Sequence, residues 1–142
     1  MGLLENVFKK KSPVRNKDQG SAFQRYWKSF LHAIDGIIYC IKYEHNMVII
    51  LMATLLVTIC GFAFGIETPE WLFIIFICGA IAACEVINSS IEAIVDLITE
   101  EYNELAKIAK DTASSASLIL CIVSVVGGLI IFLPRVIELI GG

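Results

Sequence analysis

From Met47 to Ile66 the chain runs for 20 residues without a charged side chain, and from Ala113 to Leu133 it does so again for 21. Between these, Trp71 opens a further uncharged run that reaches Cys84, and its helical period continues through Glu85 to Leu97. About 20 apolar residues in a helix cross a bilayer, because each adds about 1.5 Å against a hydrocarbon core about 30 Å thick. Spans are therefore expected at about 47–66, 71–97 and 113–133. In a chain of 142 residues they leave no room for a separate soluble domain. Composition agrees: 57% of the residues are hydrophobic and 18% charged, whereas soluble domains carry about 25% charged residues. A soluble fold of this size has too much surface to hide so much apolar side chain, and disordered chains are poor in such residues.

The segment before the spans divides in two. Residues 1–20 are polar and basic, with Lys9-Lys10-Lys11, Pro13 and Gly20, and read as a flexible tail. They lack the apolar centre of a signal peptide, so no cleavage is expected. From Ser21 to Glu44, Phe23, Trp27, Phe30, Leu31, Ile34, Ile37, Ile38 and Ile41 recur at steps of three and four or close to them. That pattern predicts an amphipathic helix lying in the headgroup layer. The expected fold class is thus all-α integral membrane, with an N-terminal surface helix at 21–44 and three transmembrane helices within a 21–142 domain.

Charge sets the orientation. Eight of the eleven Lys and Arg precede the first span, none lies in the turn at 67–70, and Lys107 and Lys110 lie in the second loop. The positive-inside rule places the N-terminus and the 98–112 loop in the cytoplasm of a multi-pass plasma-membrane protein, with Arg135 a mild counter-signal. No nucleic-acid partner is expected, since the basic head is explained by membrane orientation. The cysteines at 40, 60, 78, 84 and 121 form no C-x-x-C pair and read as packing residues.

The second span carries the chemistry. Glu85, Asn88, Glu92 and Asp96 are spaced by 3, 4 and 4 residues, which puts them on one helix face within an arc of about 80°. A carboxylate at mid-membrane depth costs at least about 2.5–3.5 kcal/mol, so a repeated one is functional by default. A polar seam between helices would more commonly use Ser, Thr or Asn. Carboxylates with an amide and no Cys or His suit a hard cation, and Mg²⁺ is commonly held by one or two carboxylates together with substrate phosphates. Glu44, before the first span, and Lys107, Lys110 and Asp111, before the third, can reach the cytoplasmic end of this stripe. Neither a P-loop nor a G-x-G-x-x-G turn is present, so a bound nucleotide would use neither.

The stretch Glu85-Val-Ile-Asn88-Ser-Ser-Ile-Glu92-Ala-Ile-Val-Asp96, followed by Ala106-Lys107-Ile-Ala-Lys110-Asp111, resembles the prokaryotic diacylglycerol kinase family, which includes the undecaprenol kinases of Gram-positive bacteria. Ser29-Phe30, Ala33, Gly36-Ile37, Glu44 and Asn46 resemble the surface helix of the undecaprenol type, and the likeness covers roughly residues 28–131. The resemblance implies a homotrimer with shared active sites that transfers the γ-phosphate of MgATP to a lipid hydroxyl at the cytoplasmic interface. It implies undecaprenol as acceptor ahead of diacylglycerol. It makes Glu85 the general base, Glu44 and Glu92 the Mg²⁺ ligands, and Asn88 a positioning group. Lys110 would contact the phosphates, with Asp96 and Asp111 completing the nucleotide site. The sequence departs at Met47-Val48, where many relatives have an aromatic residue and Arg, and at Ser90, where Ala or Thr is usual. Against this stand a proton or cation carrier using the acidic stripe as a relay, and a non-catalytic assembly subunit. The carrier gives no role to Glu44 or Lys110-Asp111.

Overall fold

The computed structural model describes residues 21–99 and 101–141; the tail at 1–20 lies outside the described residues. Four helices follow in order: α1 (Ala22–Tyr43), α2 (His45–Phe64), α3 (Thr68–Ile98) and α4 (Glu104–Gly141). Three of them, α2, α3 and α4, are long and apolar enough to cross a membrane. The chain divides into two units, Met1–Ile34 and Asp35–Gly142. In the first, the start of α1 is written locally as a capping box. Ser21 N–H donates to Gln24 Oε1 at 3.0 Å, and Gln24 N–H donates to Ser21 Oγ at 3.3 Å.

The second unit holds the spans. Glu44 joins α1 to α2 in an extended conformation. Hydroxyls inside α2 are satisfied by its own backbone, Thr54 donating to Ile50 O and Thr58 to Thr54 O, as an apolar surrounding requires. The helix stops at Gly65, whose φ of 60° is left-handed. There Gly65 and Ile66 N–H return to the carbonyls of Phe62 and Gly61, a Schellman closure that glycine permits without strain. Glu67 then caps α3 in a reciprocal box with Glu70, and Pro69 occupies the first turn.

Helices α3 and α4 form the main packed pair, antiparallel, and polar pairs mark their seam at three levels. Arg135 clasps Glu70 with both nitrogens, at 2.7 and 2.9 Å. Ser117 meets Glu85, and Lys110 meets Asp96. At Gly127 the helices approach so closely that an added Cβ would run into the Phe73 ring, the use of small residues expected between membrane helices. The buried core of Ile66, Ile74 and Ile131 lies toward the α2–α3 turn, with Trp71 and Phe73 packed against it.

The third span was expected at about 113–133; the helix that holds it, α4, is longer and continues through Pro134 to Gly141. Pro134 has no N–H to offer the Ile130 carbonyl. The next carbonyl, Ile131 O, accepts from Arg135 Nη1 at 2.5 Å, and Arg135 is itself held by Glu70. The guanidinium thus ties α4 to α3 and to its own backbone just beside the proline. Arg135, read from sequence as a weak topology signal, is a cross-helix brace.

Candidate active site

The buried face of α3 explains where the site is. Ile74, Ile77, Ile81, Glu85 and Asn88 are its buried large side chains, and their steps of 3, 4, 4 and 3 keep them on one face. The same line continues into Glu92 and Asp96. A single stripe therefore changes from aliphatic to acidic midway along an unbroken 31-residue helix. Exposure rises along it: Glu85 and Asn88 are 4% exposed, Glu92 is half-buried and Asp96 is exposed.

Each polar member has its own environment. Ser117 Oγ donates to Glu85 Oε2 at 3.3 Å, across the α3–α4 seam. Ser89 Oγ, one helical turn along, donates to the Glu85 carbonyl at 3.0 Å. Asn88 Nδ2 donates to Glu92 Oε1 at 2.9 Å, fixing that carboxylate, while Asn88 Oδ1 is buried with no partner. A buried carbonyl oxygen without a donor is an exception that a bound water or cation would satisfy. Lys110 Nζ lies 2.5 Å from Asp96 Oδ1, and Lys107 Nζ lies 3.3 Å from Asp111 Oδ2.

Two cavities flank the stripe. An apolar one of about 220 Å³ opens among α2, α3 and α4, lined by Ile50, Thr54, Ile77, Ile81 and Ser124 among others. Ile81 is one turn from Glu85. A polar one of about 300 Å³ lies at the α3–α4 loop, lined by Asp96, Glu101, Tyr102, Asn103, Lys110 and Asp111. There Asn103 Oδ1 accepts from Leu105 and Ala106 N–H, starting α4 so that Lys110 faces back to α3.

The structure thus brings Asp96, Lys110 and Asp111 to one cavity, and Asn88 and Glu92 into direct contact. Glu44 is half-buried at the α1–α2 joint, and among the described residues no group of three or more His, Cys, Asp or Glu gathers to hold a metal. Met47 is buried and Val48 exposed at the position of the departure noted above. Lys42 sits over the Tyr43 ring, 5.2 Å from its centre. Sequence reasoning missed Ser117, because a lone serine in an apolar run carries no signal until the register of α4 against α3 is known.

The sequence profile described as prokaryotic diacylglycerol kinase matches residues 31–132. The chain belongs to that family. It is 38% identical over 120 residues to the undecaprenol kinase of Bacillus subtilis (strain 168), covering 84% of this chain and 98% of the relative. It is 34% identical over 103 residues to a diacylglycerol kinase of Helicobacter pylori (strain J99), covering 71% and 79%. The diacylglycerol kinase of Escherichia coli (strain K12) is 55% identical over 42 residues, 30% of this chain and 34% of that one. As a family member the chain is a lipid kinase, a multi-pass membrane phosphotransferase with transmembrane helices.

Proposed function

We propose that this kinase transfers the γ-phosphate of ATP to the hydroxyl of undecaprenol at the cytoplasmic face of the membrane, yielding undecaprenyl phosphate. The observation that carries the reading is the buried Glu85 at the point where an aliphatic stripe turns acidic, between an apolar and a polar cavity. Undecaprenol is favoured over diacylglycerol by the similarity to an undecaprenol kinase over nearly that relative's full length. The acceptor's chain follows the apolar side of α3, which brings its hydroxyl to Glu85.

In the step, the lipid oxygen attacks the γ-phosphorus and an O–P bond forms. The bond from that phosphorus to the β,γ-bridging oxygen breaks, ADP leaves with the electron pair, and the hydroxyl proton passes to the Glu85 carboxylate. Lys110, released from Asp96, contacts the phosphates, and Asp96 and Asp111 line the nucleotide's cavity. Asn88 holds Glu92 in place through its Nδ2 donor. The donors suit Mg²⁺ by chemistry: Glu92 and the unpartnered Asn88 Oδ1 from one copy, with Glu44 from another, would be hard oxygen ligands, few enough to leave positions for phosphates. When bound, the ion neutralises charge on the phosphates. We further propose that α1, with Phe23, Trp27 and Phe30 exposed, lies in the headgroup layer, and that three copies assemble and share sites.

Purified protein in mixed micelles with γ-labelled ATP and either undecaprenol or diacylglycerol tests this. Label should appear chiefly in undecaprenol, and Glu85→Gln should lower its rate by ~10²-fold or more. Label in neither lipid sinks the function, and label in diacylglycerol alone sinks the acceptor.

A further inference from the structure

Hydroxyls in this protein's apolar helices have a default. Thr54 and Thr58 in α2, Ser89 and Ser90 in α3, and Ser114, Ser115 and Ser124 in α4 all donate to a carbonyl one turn back in their own helix. That is where a short hydroxyl goes when no water is near. Ser117 departs from it. Its hydroxyl crosses to another helix and donates to the Glu85 carboxylate, 32 residues away in sequence.

We propose that Ser117 is a positioning residue for Glu85, acting through that carboxylate and touching neither ATP nor acceptor. The inference rests on Glu85 being the base. A buried glutamate has three side-chain torsions to fix, and a proton acceptor must meet the acceptor hydroxyl within about 2.6–3.2 Å. A donor on Oε2 turns the carboxylate to one rotamer and leaves Oε1 as the oxygen that takes the proton. At 3.3 Å the bond is long, as catalytic hydrogen bonds often are before substrate binds. It therefore contributes little to the resting fold and more to the reacting geometry. The register supports the assignment. The Glu70–Arg135 pair and the close approach of Gly127 to Phe73 pin α3 against α4, so Ser117 is carried to Glu85 by a packed seam.

The test is steady-state kinetics on Ser117→Ala, Ser117→Thr and Glu85→Gln with γ-labelled ATP and undecaprenol. Alanine is a good helix former, so Ser117→Ala should fold, and its thermal midpoint in detergent checks this. Expected is a loss of about 10-fold in kcat for Ser117→Ala with KM for ATP unchanged, and recovery of most of it by Ser117→Thr, which restores the hydroxyl. Wild-type kcat in Ser117→Ala, while Glu85→Gln is inactive, overturns the positioning role and leaves the base intact. A Ser117→Thr variant as slow as Ser117→Ala overturns it too, since shape rather than the hydroxyl would then matter. An active Glu85→Gln removes the base, and this inference with it.

Discussion

Asn88 is the residue that lets three acidic groups share one helix face. A carboxylate in its place would add like charge between Glu85 and Glu92 at a site 4% exposed, where an unpaired charge is most costly. The amide instead supplies a donor that holds Glu92 and keeps an oxygen in reserve. Lys110 makes a contrasting case, because its partner Asp96 has a side chain 65% exposed. Ion pairs of that kind contribute about 1 kcal/mol or less to stability. Lys110→Met should therefore leave the thermal midpoint in detergent nearly unchanged. Loss of the phosphate contact proposed for Lys110 should still raise KM for ATP by about 10- to 100-fold. A midpoint that falls with activity unaltered would make Lys110 a structural residue. At this scale the acidic stripe was legible because charge inside an apolar run is costly enough to stand out. Ser117 was not legible, since its meaning depends on a neighbour that only tertiary packing supplies.

Among elements, the α3–α4 seam decides most of the packing, and two adjacent glycines on α4 allow it to be tested. A Cβ at Gly127 would meet the Phe73 ring, whereas a Cβ at Gly128 would meet nothing within 4 Å. Gly→Ala in a helix interior is ordinarily favourable by about 1 kcal/mol. Gly128→Ala should thus hold or raise the thermal midpoint in detergent, and Gly127→Ala should lower it, because Phe73 must leave its place in the seam. Equal midpoints would show that the helices do not meet there. The helices themselves were readable from three apolar runs, since lipid leaves the backbone no alternative partner. The end of α4 was not. Proline removes one backbone bond, which a helix can survive, and the sequence does not show that the next residue, Arg135, is anchored to Glu70 on α3.

For the whole molecule, one copy is an incomplete solution. In the most apolar stretch of α3 33% of residues are buried, against 11% in α2 and α4. Lipid or further copies must cover the rest. Glu44 stands at the α1–α2 joint and takes no part in the pairings that join α3 to α4. In the proposed trimer, Glu44 of one copy serves the α3 stripe of another. Mixing two inactive proteins, Glu44→Gln and Glu85→Gln, should then restore part of the wild-type rate, measured after reassembly from denaturing detergent. No recovery from a verified mixed assembly would place both residues of each site in one copy. The continuity of α3 has a last consequence. Its 31 residues extend about 46 Å, longer than a bilayer's apolar layer, and set Glu85 about 22 Å along the axis from the Glu70–Arg135 brace. The helix is a ruler laid across the membrane, with Glu85, the base of the proposed mechanism, engraved at a constant depth. In that mechanism an acceptor is selected partly by how far below the headgroups its hydroxyl can sink, a property of the lipid in its bilayer as much as of any pocket wall.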